Sequence, residues 1–152
     1  MRIIGRPAFS LVELVVVIAI LAVLATIAVP RLLKRSRESQ IAATVRDLQM
    51  AYDTLQRYHI EHGSWPADTQ HKNFPPELKG YFNEKFFTEK NSAGGWYDWN
   101  NGFGAQAAIA LWMQPADLEF FRAIDRRLDD GNLSTGNVRK QDSKTLNYII
   151  VP

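Results

Sequence analysis

The sequence predicts an α+β protein in which a long N-terminal helix, apolar in its first half and amphipathic in its second, packs on a small antiparallel sheet. Three observations predict it. Residues 9–29 are almost continuously apolar, with Thr26 the one polar residue between Leu14 and Val29. Ile41, Val45, Leu48, Tyr52, Leu55 and Tyr58 then recur at helical spacing, which marks one stripe of a helix. From Gly63 onward the chain is rich in Gly, Pro, Asn and aromatics and holds short strand-like runs. At 152 residues and 17.3 kDa the chain suits one domain with an appendage. Its 46% hydrophobic and 22% charged residues exclude disordered, collagen-like and disulfide-dense classes. Zero cysteines exclude disulfides, thiolate zinc sites, iron–sulfur clusters and a cysteine nucleophile.

The apolar run has the length of a membrane span, since about 20 helical residues cross a hydrocarbon core of about 30 Å. A secretory signal peptide is the competing reading. Its apolar region is about 7–15 residues and precedes a small-residue cleavage site. Here the run is longer and ends in Val29-Pro30-Arg31 with no Ala-x-Ala close behind, so retention as a single-pass membrane helix is expected. Glu13 interrupts the run near its start. An ionisable group within a span costs about 2.5–3.5 kcal/mol on insertion scales and asks for a partner. The blander reading is that Glu13 sits near the membrane end and reaches the interface.

Arg6-Pro7-Ala8 followed by Phe9-Ser10-Leu11-Val12-Glu13-Leu14 and an unbroken apolar helix resembles the class III signal of type IV pilins and type II secretion pseudopilins. That resemblance implies that residues 1–8 are a leader, cut between Ala8 and Phe9 by a prepilin peptidase that also methylates the new amino terminus of Phe9. It implies that Glu13 pairs with the terminal amine of a neighbouring subunit during assembly, and that Pro30 is the helix-kinking proline of the family. The family usually has Gly before the cut, where this sequence has Ala8. The chemistry of Glu13 is consistent with that role, because a carboxylate in lipid is tolerable when a cation meets it.

Arg2 and Arg6 precede the span, whereas Arg31, Lys34, Arg35 and Arg37 follow it. The positive-inside rule therefore points to a cytoplasmic C-terminal part, although large domains translocate regardless of charge. The resemblance implies the opposite, a periplasmic domain over residues 31–152. Loss of residues 1–8 would leave 16 basic and 16 acidic side chains. A neutral mature chain argues against a nucleic-acid partner, which needs a basic face.

No helix breaker separates Arg31 from His62, and Gly63 with Pro66 supplies a stop, so one helix is expected from Phe9 to His62, bent or locally melted at Pro30. A coiled-coil seam would also use the stripe, but it covers barely three heptads. Gly63-Ser64-Trp65-Pro66 resembles the Gly-x-aromatic-Pro turn of the same family. Ala67–Lys90 reads as a connecting loop, with one helical turn at Pro76–Tyr81. Trp96–Trp99 reads as a strand, and Ala105–Met113, ambiguous between strand and helix, is taken as its hairpin partner. A helix starting at Pro115 would bury Leu118, Phe121, Ile124 and Leu128 and end at Gly131. Thr145–Val151 reads as a last strand. This order is that of a pilin-like fold.

Asp129, Asp130, Asn132 and Asp142 form an oxygen-rich loop able to hold a hard cation, and some pseudopilins hold calcium in the loop before the last strand. Calcium is thus the one candidate cofactor. The same residues also make an ordinary helix end and solvated turn. His59, His62 and His71 are candidate zinc ligands only if they converge. Trp65, Trp96, Tyr97, Trp99 and Trp112 would form a stacking platform for sugars or bases if two rings are coplanar and exposed; otherwise they are core. Neither a nucleophile elbow nor a phosphate-cradling loop is present, and no enzyme is expected.

What the resemblance implies is a structural subunit of a type IV pilus-like or type II secretion pseudopilus filament, inserted in the inner membrane and polymerised through residues 9–30. Its partners would be further copies, minor pilins or pseudopilins, the prepilin peptidase and an inner-membrane assembly platform. The turn at Gly63 and the final loop lean toward a pseudopilin-like subunit. The rival reading is a non-polymerising, membrane-anchored module that binds sugar, DNA or protein through exposed aromatics.

Overall fold

The computed structural model describes residues 10–102 and 105–152. The chain divides into two compact units, Met1–Arg37 and Glu38–Pro152. Helix α1 runs over Leu11–His62, so the expected start at Phe9 lies outside the described residues. The helix continues through Pro30 without a break, so local melting there does not occur. Proline removes a single N–H from the ladder, that facing the Thr26 carbonyl, and both neighbouring turns remain intact. The Thr26 hydroxyl donates to the Val23 carbonyl at 2.7 Å.

In the first unit α1 is long and apolar enough to cross a membrane, and its apolar window is wholly unburied. In the second unit the same helix buries Ile41, Thr44, Leu48, Ala51, Leu55 and Tyr58. These positions alternate by three and four residues, whereas Val45 and Tyr52 of the expected stripe flank it and are half-buried. Small Thr44 and Ala51 lie on the seam itself and are fully buried. Gly63, at φ +72°, accepts the left-handed conformation that ends the helix, its N–H bonded to the His59 carbonyl at 2.8 Å.

Among the described residues four strands form one antiparallel sheet: β1 Trp96–Asn100, β2 Ala107–Trp112, β3 Val138–Lys140 and β4 Thr145–Val151, in the order β1-β2-β4-β3. The hairpin β1–β2 and the last strand match the sequence expectation. Tyr97, Trp99, Ile109, Leu111 and Leu146 face the core, with Trp99, Ile109 and Leu111 fully buried among Leu48, Leu55 and Phe121. Each such side chain contributes about 1.5–3 kcal/mol of burial.

Helix α2, Lys85–Thr88, lies against β1. At four residues it is too short to leave a period in the sequence. The expected turn near Pro76 is a short 3-10 helix at Pro76–Leu78. Helix α3 spans Leu118–Leu128 and does not start at Pro115. Asp117 is the N-cap, and its side chain accepts the Phe120 N–H at 2.9 Å, so side-chain capping and not proline sets the start. Its buried face is Phe120, Phe121, Ile124 and Asp125, with Leu128 half-buried and Leu118 exposed. Strand β3 was not expected. It holds only Val138 inward, which gives no alternation to read.

Candidate functional site

Three places carry chemistry that the fold must explain: the start of α1, the loop after α3, and the aromatic cluster over β1. Glu13 stands in the first turn of α1, exposed, where the partial positive charge of a helix N-terminus favours a carboxylate. Beyond it Leu14, Ile18, Leu21, Leu24 and Ile27 leave an apolar surface on α1 that the first unit itself does not cover. Ala8 and Phe9 lie outside the described residues. Glu13 and Pro30 belong to the same helix and the same unit.

After α3 the structure gathers an acidic trio that differs from the expected set. Asp125, Asp129 and Asp130 each bring a carboxylate oxygen within 4.8 Å of the others. Asp125 is fully buried, and neither of its carboxylate oxygens has a hydrogen-bond partner. Burial first, with the charges of Asp130 and Asp129, pushes its carboxyl above the ordinary aspartate range against an opposing pull from the nearby Gly131 N–H. Asp129 accepts from the backbone N–H groups of Asn137 and Val138. Asp130 accepts from the Asn132 N–H at 2.7 Å and the Thr135 hydroxyl at 2.7 Å, and the Thr135 bond in particular holds its carboxyl below the ordinary range. Asn132 and Asp142 instead accept from Ser134 and Lys144 N–H, each closing its own turn. The loop lies tight on the trio. A Cβ at Gly136, whose φ is +72°, would fall 2.0 Å from Asp129 Oδ2. Asp125 escaped the sequence reading, yet it left a signal. It sits four residues after Phe121 and four before Asp129, on the apolar stripe of α3, where a carboxylate is out of place.

The segment from Trp65 to Phe74 wraps β1. The Pro66 carbonyl accepts from Trp99 Nε1 at 3.1 Å and from Asn101 Nδ2 at 2.8 Å, and Asp68 accepts the Asn101 N–H at 3.1 Å. Further on, His71 lies over Trp112 at 5.4 Å and Lys72 over Trp96 at 4.4 Å. Asp98, half-buried on β1, has a buried oxygen without a partner, and burial followed by the charge of Asp68 pushes its carboxyl up to about 7.

The aromatics do not make an open platform. Trp99 is fully buried, Trp65 stacks on His59 at 4.1 Å, and Trp96 and Trp112 are half-buried and tilted by 49°. The histidines are dispersed among aromatic contacts: His59 on Trp65, His62 hydrogen-bonded to the Tyr81 hydroxyl at 3.0 Å, and His71 on Trp112. None joins the acidic trio.

Residues 6–29 match the family model of the prokaryotic N-terminal methylation motif. The chain is similar in structure to the major type IV pilin PilA1 of Clostridium difficile, at 14% sequence identity and a TM-score of 0.53, over 76% of this chain and 97% of that one. The fold is that of a type IV pilin. No curated protein sequence matches the chain. The pilin fold and the methylation motif occur in one polypeptide, the motif occupying the start of α1 and the sheet covering the later part of the same helix. The helix that carries the motif is long and apolar enough to cross a membrane.

Proposed function

We propose that this chain is a structural subunit of a type IV pilus-like or type II secretion pseudopilus filament. The observation that carries the reading is the coincidence of the methylation motif at residues 6–29 with the pilin fold in the same chain. A prepilin peptidase removes residues 1–8 between Ala8 and Phe9 and methylates the Phe9 amine. Residues 9–30 insert in the inner membrane with the C-terminal domain in the periplasm, and an assembly platform then draws them into a helical filament with further copies and minor subunits. The chain is the peptidase's substrate and catalyses nothing itself. Docking brings the Phe9 amine of one copy to Glu13 of another, so that two charges costly in lipid neutralise each other only in the assembled state.

The mature amino terminus tests this directly, by intact mass and N-terminal peptide mapping after co-expression with a prepilin peptidase. A chain that starts at N-methylated Phe9 is the expected result. A chain that still starts at Met1, while a control carrying Gly in place of Ala8 is cut, would leave the anchored binding module as the better reading.

Calcium belongs to the same proposal. The donor set suits a hard cation, since a buried carboxylate without a hydrogen-bond partner beside two further carboxylates lacks a positive charge. Asp125, Asp129 and Asp130 are the residues that would hold it, and the ion would tie the end of α3 to the loop before β3. Thermal unfolding of the processed chain should rise by several degrees when EDTA is replaced by excess calcium, and Asp125→Asn should abolish that rise. An equal melting temperature in EDTA and calcium would remove calcium from the reading and leave the filament role untouched.

A further inference from the structure

One charged stretch of the chain is used by none of the roles above. Arg31, Lys34 and Arg35 follow the apolar run of α1, and all three side chains are exposed. Between Leu14 and Arg37 the sequence holds no acidic residue. Among the described residues no carboxylate pairs with any of these three cations, and the acid nearest in sequence, Glu38, is taken by Arg127 at 2.6 Å. Three cations within five residues repel one another, and the helix from Leu14 to Arg37 offers no counter-charge. The complement must come from outside the first unit.

Helical spacing shows what kind of complement. Leu24, Ile27, Ala28, Arg31, Lys34 and Arg35 fall on one face, so that a single stripe is apolar up to Ala28 and cationic from Arg31. Leu24 and Ile27 on this stripe are more than half exposed. Where the two characters meet, Ala28, Val29, Arg31, Leu32 and Arg35 line a shallow groove of about 440 Å³. Two guanidinium groups one turn apart over an apolar floor suit an amphiphile, with a phosphate bidentate to arginine and acyl chain laid toward Leu24. Depth agrees. Leu11–Val29 accounts for about 28 Å of helix, close to the hydrocarbon thickness, and the next turn of helix reaches the headgroup layer. Long basic side chains extend to that layer while their stems stay in apolar surroundings.

We propose that Arg31, Lys34 and Arg35 bind anionic phospholipid headgroups in the leaflet where α1 leaves the membrane. The site rests on the membrane-insertion reading and adds to it a lipid class. It also gives the basic residues at the C-terminal end of the span a role of their own, separate from orientation. Headgroup attraction holds the unassembled subunit at fixed depth, and entry into a filament must exchange these contacts for others.

The test uses the full chain reconstituted in vesicles of phosphatidylcholine with about one-third phosphatidylglycerol, with spin-labelled lipids reporting which headgroup the protein selects. Each cation near an anionic surface strengthens attraction by about fivefold at low salt. The wild type should therefore select phosphatidylglycerol over phosphatidylcholine severalfold, and the preference should collapse as salt shortens the screening length. The triple variant Arg31→Gln, Lys34→Gln, Arg35→Gln should insert equally, judged by resistance to carbonate extraction, and lose the preference; Lys34→Arg should keep it. Inserted wild type with no headgroup preference overturns the proposal. So does a preference that persists in the triple variant, or one seen only at crowding that brings a second copy's acids to these cations. A chain that does not insert at all overturns the membrane reading together with this one, whereas insertion without selectivity overturns this one alone.

Discussion

Asp98 shows how a single residue sets the pH response of the sheet. It lies half-buried on β1, opposite Ala110, with Asp68 of the wrapping segment adding repulsion. Its carboxyl is raised from 3.8 to about 7, so the folded chain holds the proton more tightly than the unfolded chain does. The stability that goes with the protonated form is complete below the unfolded value. It is lost as pH rises toward the folded value, and is gone above it. Asp125 shifts in the same direction. We expect Asp98→Asn to diverge from the wild type between pH 4 and 7 and to be the more stable above pH 7. The gap should reach about 1–2 kcal/mol once solvent screening of a half-exposed group is allowed for. Urea unfolding across that range checks it, and a gap constant with pH would refute the assignment. Neither Asp98 nor Asp125 was legible as a titrating group in the sequence. A carboxylate on a short strand reads as an outward residue until the segment that covers it is placed, and segment 65–74 has no periodicity of its own.

At the scale of elements, legibility followed length and repetition. The stripe from Ile41 to Tyr58 could be read because a helix of several turns repeats its burial pattern, and Thr145–Val151 because seven residues of high β-propensity leave little alternative. Helix α2 and strand β3, four and three residues long, repeat nothing, and tertiary contacts define them: Phe87 and Val138 are each fully buried. The start of α3 was misread because Pro115 and Asp117 are both N-terminal signals, and the side-chain cap prevailed. Asp117→Ala should therefore destabilise the folded unit by about 1 kcal/mol, whereas Pro115→Ala should leave the helix start unchanged. Amide exchange at Phe120 and Phe121, whose N–H groups bond to the Asp117 side chain and carbonyl, would report the difference, with faster exchange in the first variant only. The acidic loop was half legible for a related reason. Asp129 and Asp130 were found by composition, but Asp125 joined them through the turn of α3, and Asn132 and Asp142 went to local turns.

For the whole molecule, the division into Met1–Arg37 and Glu38–Pro152 would, in the filament reading, separate assembly from folding. The second unit holds its own core, so its stability depends on residues such as Leu48, which is 1% exposed. Leu48→Ala should cost about 2–5 kcal/mol by the cavity it leaves. Glu13 makes no contribution to that core. Its value lies in a charge that, in the filament reading, only a neighbouring Phe9 amine neutralises within lipid, so removal of the carboxylate leaves that amine unpaired at the docking step. Glu13→Val should thus be cut and methylated like the wild type, unfold at the same temperature, and form no filaments. Leu48→Ala should show the reverse order of effects, with a lowered unfolding temperature and any assembly defect rescued by cooling. Electron microscopy of sheared filaments, beside thermal unfolding of the same preparations, checks both arms. Filaments of normal length from Glu13→Val would mean that the span associates through its apolar surface alone, and that Glu13 is an interfacial carboxylate at the end of the membrane helix.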